Sequence, residues 1–111
     1  MSNISQTNID FSQMVSVTTR EAARDKARST RLRTRCRTLI GEIASAEAQT
    51  NLAAAAALGT LQPEQWEAYR ALVKWIDDMR RCCARHIADK ADPEGHWPRA
   101  PQTVRALTRA F

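Results

Sequence analysis

The chain has 111 residues, about one small domain, with 17 Lys+Arg against 12 Asp+Glu and a formal charge of +5. Its 3 Gly and 4 Pro are too few for a loop-rich or collagen-like chain, and a charge of +5 is too low for full disorder. The longest apolar run, Leu52 to Leu58, is mostly Ala and falls far short of the ~18 residues of a membrane span; the polar start predicts no secretory leader.

Residues 1–17 are polar and almost uncharged. Ile9 alternates with Phe11, and Val15 with Val17. This spacing predicts an extended N-terminal arm, with Ile9, Phe11 and Val15 as its partner-binding anchors.

Thr18-Thr19-Arg20-Glu21 fits a capping box, in which a Thr hydroxyl and Glu21 satisfy the first free N–H groups. The pattern predicts one helix from 18 to 58, stopped by Gly59 in a left-handed conformation. Gly41 is an internal weak point, costing about 1 kcal/mol relative to Ala. There the helix either bends or admits a close neighbour.

The halves of this helix differ. Arg20, Arg24, Lys26, Arg28, Arg31, Arg33, Arg35 and Arg37 face only Glu21 and Asp25, a local excess above the whole chain's +5. Arginine dominates, which favours bidentate contacts to carboxylate or phosphate. No aromatic residue lies between 12 and 65, so no base-stacking platform accompanies the cations. The same stretch also fits a plain solvated face. The second half carries a seam at Leu32, Cys36, Leu39, Ile43, Ala46, Thr50, Ala53 and Ala57, the 4-3 spacing of a heptad.

Pro63 suits a first helical position, with Leu61 and Trp66 placed as a hydrophobic staple. A second helix is predicted over 63–89. Its apolar face is Trp66, Tyr69, Leu72, Val73, Ile76, Met79, Cys83 and Ile87, and Lys74–Asp78 and Asp77–Arg81 form i,i+4 pairs. So short a turn requires an antiparallel hairpin. Leu39, Ile43, Trp66, Leu72 and Ile76 are expected to hold it. The basic half then extends past its partner, leaving Ala22, Ala23, Ala27 and Leu32 for self-association.

Residues 90–101 hold three of the four prolines and Gly95, so they read as a loop with Trp97 folding back on the hairpin. Residues 101–111 suit a short helix with Val104, Leu107 and Phe111 on one side. The fold class is therefore all-α: a long helix, a shorter antiparallel partner, an extended arm, and a C-terminal loop with a short helix. The domain boundaries are 1–17, 18–89 and 90–111.

No chemistry-bearing constellation is complete. Cys36, Cys82 and Cys83 are odd in number and two are adjacent, which fits reduced, core-forming thiols. Cys83 and His86 are one plausible ligand pair, and a structural zinc site needs four ligands. No phosphate-cradling loop is present, since Gly41, Gly59 and Gly95 are isolated. The expectation is no metal, no cofactor and no catalysis.

A resemblance enters at residues 39–101. Leu58-Gly59, Leu61-Gln62-Pro63-Glu64-Gln65-Trp66, Tyr69-Arg70, Val73-Lys74-Trp75-Ile76 and Trp97-Pro98-Arg99-Ala100-Pro101 stand in that order after an Ala-rich helix. This resembles the C-terminal region of small tailed-bacteriophage proteins of the tail-fibre-assembly or tail-chaperone type. Asn8-Ile9-Asp10-Phe11-Ser12-Gln13-Met14-Val15 is similar to a linker in related tail proteins. Their frequent N-terminal domain is missing here, and the Arg-dense 20–37 stretch and the segment after Pro101 are additional. The resemblance implies a non-enzymatic tail or baseplate accessory protein, either virion component or assembly chaperone. It implies tail, baseplate or tail-fibre proteins as partners and a place in the virion tail or host cytoplasm; the leftover apolar surface points to self-association, and the short apolar runs to no membrane. Arg24, Arg28, Arg31, Arg35 and Trp97 join the arm residues as expected partner contacts. The alternative is a small basic nucleic-acid-binding regulator.

Overall fold

The computed structural model describes the backbone of residues 2–89 and 95–111, and side chains from residue 16 onward. Among these residues the chain is all-helical: α1 Ser2–Ile43, α2 Ala46–Leu58, α3 Pro63–Ala88 and α4 Gln102–Arg109. Two units are described separately, one within residues 1–31 and one comprising 32–111.

The first unit is the leading part of α1. The extended arm expected for 1–17 is corrected here, because residues 2–17 are helical. The first Gly in the chain is Gly41 and the first Pro is Pro63, so no breaker stands upstream. Ser, Asn, Gln and Thr each cost well under ~1 kcal/mol in a helix, and extending an existing helix is far easier than nucleating one. The predicted cap at Thr18 is accordingly mid-helix. From 16 to 31 the side chains are exposed, apart from half-buried Arg28 and Ser29.

The second unit holds the whole described core. Its helical hairpin is α2 and α3, with the end of α1 packed onto the same cluster. The helix predicted to run unbroken to 58 is interrupted. Ser45 leaves helical geometry at φ −61°, ψ 160°, and its Oγ accepts the Ala48 N–H at 3.0 Å. Gln49 Nε2 donates to the Ala44 carbonyl at 2.9 Å, covering a group the break exposes.

The break corrects the predicted seam. The buried row is Leu32, Cys36, Ile40, Ala44, Ala48 and Leu52, in steps of four. In an unbroken helix each such step drifts by about 40°, so the row would wind away from one neighbour. Restarting the helix at Ser45 resets the phase and returns Ala48 and Leu52 to the core. Ala46, Thr50, Ala53 and Ala57, expected inside, are exposed, while Leu39 and Ile43 are half-buried against the core. Leu32, expected to be left over for self-association, is a core residue at 2% exposure.

Gly59 ends α2 at φ 69°, and Thr60 N–H closes onto the Ala55 carbonyl at 3.0 Å. Pro63 opens α3, and the Gln62 N–H donates to Gln65 Oε1 at 2.8 Å. Lys74–Asp78 and Asp77–Arg81 both form at 2.9 Å. Being exposed, each contributes only ~0.5 kcal/mol.

The face of α3 departs from expectation. Ala68, Leu72, Trp75, Met79, Cys82 and Cys83 are buried, whereas Val73 is 52% exposed. The reason is that α3 is covered from two sides. α4 and the segment before it pack against α3, and Trp75 Nε1 donates to the Pro98 carbonyl at 3.0 Å. Val104 and Leu107 of α4 are buried and Phe111 is half-buried, as their spacing indicated. Asn51 Nδ2 reaches the Phe111 carbonyl at 3.3 Å, tying this end to α2.

Leu52→Ala should destabilise the chain by about 3 kcal/mol through a cavity at a fully buried site. Ser45→Ala should cost about 1 kcal/mol by removing the cap. Urea unfolding followed by circular dichroism checks both, and equal midpoints for Ser45→Ala and wild type would show the break is not cap-dependent.

Candidate protein-docking site

The expected contact residues fall into separate places. Ile9, Phe11 and Val15 lie in α1, and their side chains are outside the described residues. Arg24 and Arg31 are exposed and Arg28 is half-buried in the first unit; Arg35 is exposed in the second. Trp97 is half-buried, its ring 4.9 Å from that of His86 at 61°. It folds back on α3 as expected.

The thiols separate into two environments. Cys82 Sγ lies 3.3 Å from His86 Nε2 and donates to the His96 carbonyl at 3.2 Å. His86 therefore meets Cys82, one helical turn away, and not Cys83 as its spacing indicated. Cys36 sits beside Cys83 between α1 and α3, its thiol reaching toward the Met79 carbonyl at 3.7 Å. Burial raises the Cys36 pKa above the ordinary 9.0; the neighbouring Cys83 adds to this, and Arg80 opposes it. Such a thiol is a poor nucleophile at neutral pH. Among the described residues no three His, Cys, Asp or Glu side chains are grouped to hold a metal. No described helix is long and apolar enough to cross a membrane.

What the second unit does offer is a groove of about 620 Å³ where α1 ends, α2 begins and α3 passes. Its floor includes Cys36, Ile40, Ala44 and Cys83, all buried. Arg33 and Arg37 stand on the α1 side and Arg80 on the α3 side, all exposed. The geometry suits an apolar contact bordered by cations. The groove was not visible as a site in the sequence. Its one signal there was Gly41, a helix-weakening residue amid a helical pattern.

No protein-family model, curated protein or solved structure matches this chain.

The Cys36 environment carries a pH dependence. Its folded pKa lies above the unfolded value near 9.0, so the folded chain keeps a proton that the unfolded chain releases. That contribution to stability is complete below the unfolded pKa and is lost as pH rises through the folded one. Urea midpoints should fall as the pH rises past the unfolded value near 9.0 and on through the raised folded value. Cys36→Ala should show a shallower fall; an identical fall would place the alkaline sensitivity elsewhere.

Proposed function

We propose that this chain is a non-enzymatic accessory protein of a phage tail or baseplate, acting by binding tail or tail-fibre proteins as a virion component or an assembly chaperone. The observation that carries the binding part is the state of α1. Helices in proteins draw most of their stability from tertiary packing of one face. Residues 16–31 contribute nothing to the described core, yet this segment is helical and bears Arg20, Arg24, Lys26, Arg28 and Arg31. Its exposed surface interleaves these cations with Val17, Ala22, Ala23 and Ala27, a mixed surface that a protein partner can cover.

The tail assignment is supported by the resemblance in residues 39–101. Its motif residues do structural work here: Gly59 takes the left-handed stop, Pro63 starts α3, Trp66 packs edge-on to Tyr69 at 6.2 Å, and Trp75 holds Pro98. They set the turns and the packing of the second unit.

Co-expression with the tail-fibre and baseplate proteins of the same phage should yield a complex that survives moderate salt. Arg24→Glu with Arg31→Glu should weaken it by about tenfold. Mass spectrometry of purified particles separates virion component from chaperone. Failure to bind any tail protein, together with DNA binding that weakens by about 0.9 in log–log slope per phosphate contact, would overturn the proposal in favour of a nucleic-acid regulator.

A further inference from the structure

We propose that the groove between the end of α1, the start of α2 and α3 is the docking site for an acidic amphipathic helix of a partner protein. This rests on the protein-binding role above and gives that partner a chemistry.

The first argument is charge. Arg33 and Arg37 border one side of the groove and Arg80 the other, and no carboxylate is among the described residues lining it. The acids nearest in sequence to Arg80 are already engaged, Asp77 by Arg81 and Asp78 by Lys74, each at 2.9 Å. Arg37 donates to Thr34 Oγ1 at 3.3 Å, a neutral acceptor that brings no opposite charge. Like charges gathered around an apolar floor favour an occupant that brings carboxylates to the rim and apolar side chains to the centre.

The second argument is Gly41, which lines the groove. A helix-interior glycine costs about 1 kcal/mol relative to alanine. A Cβ built at Gly41 meets nothing within 4 Å, and its φ is not positive. Neither a close contact nor a backbone angle among the described residues therefore requires glycine at this position. An external backbone approaching closely does gain from it, and Ala44, Ala46 and Ala84 extend the low wall beside it.

The third argument is dimension. From Arg33 to Ala44 the α1 side of the groove runs about 16 Å, or three helical turns. An occupant of that length presents a few large side chains to the floor, in the helix-in-groove mode.

The test uses the full chain and two synthetic peptides of about 16 residues. They share one leucine face; one carries glutamates beside it and the other lysines. Fluorescence anisotropy gives affinity, and amide NMR shifts locate the contact, with Gly41 readily followed among 3 glycines. The glutamate peptide should bind at least about tenfold more tightly than the lysine peptide and shift the Gly41 amide. Gly41→Leu should weaken it by at least about tenfold while retaining or raising the melting temperature. Arg37→Glu with Arg80→Glu should do the same from the rim, which keeps the test open if the leucine variant folds poorly.

Equal binding of both peptides, unaltered affinity in both variants, or shifts confined to residues 16–31 would overturn the groove assignment. So would a DNA duplex that shifts Gly41 and displaces the peptide. If Gly41→Leu leaves co-purification with a tail protein intact, the groove proposal fails and the wider role stands. If the wild-type chain captures no tail protein yet binds the glutamate peptide at Gly41, the wider role fails and the groove stands.

Discussion

The break between α1 and α2, where the Ser45 hydroxyl accepts the Ala48 N–H at 3.0 Å, is the constraint around which the second unit is arranged. It ends one helical phase and begins another. Without the restart, a row of buried residues in steps of four would turn by about 40° per step around the helix relative to a neighbour aligned with it. With it, α2 packs beside α3 and leaves a space where α1 stops. The groove with its arginines is thus a by-product of phase correction: its walls include residues just before the break and just after it.

A second consequence concerns how so short a chain covers its core. α2 is rich in alanine and buries little beyond Ala48 and Leu52. The larger side chains come from the end of α1, from α3 and from α4. α3 serves two neighbours, with Leu72 and Met79 in the central cluster and Trp75 beneath the segment that leads to α4. The indole finds both apolar cover and a carbonyl acceptor, the combination a buried tryptophan needs.

Charge and packing divide the molecule between them. The described core begins at Leu32, and the densest cation run lies largely before it. Arg24, Arg28 and Arg31, proposed to meet tail proteins, lie outside the described core, whereas the groove floor at Cys36, Ile40, Ala44 and Cys83 belongs to it. Surface arginines can be reversed without opening a cavity, so changes at these positions leave the packed cluster intact.

Local chemistry made several elements legible. Gly59 as a left-handed stop, Pro63 at a helix start, and the 104, 107 and 111 spacing of the last helix act through backbone conformation and short-range periodicity alone. The helical class, the boundaries of α3 and α4, and the return of Trp97 all follow from such signals. Alternation at Ile9 and Phe11 misled, because two residues of period are weak against the absence of any breaker before Gly41. Tertiary structure decided the rest. Ser45 is an ordinary serine until Ala48 and Leu52 require a core, and the inward turn of Trp75 depends on a carbonyl 23 residues away. The groove belongs to this class too, since no single helix contains both sides of it: its cations come from α1 and α3, and only packing brings them around one apolar floor.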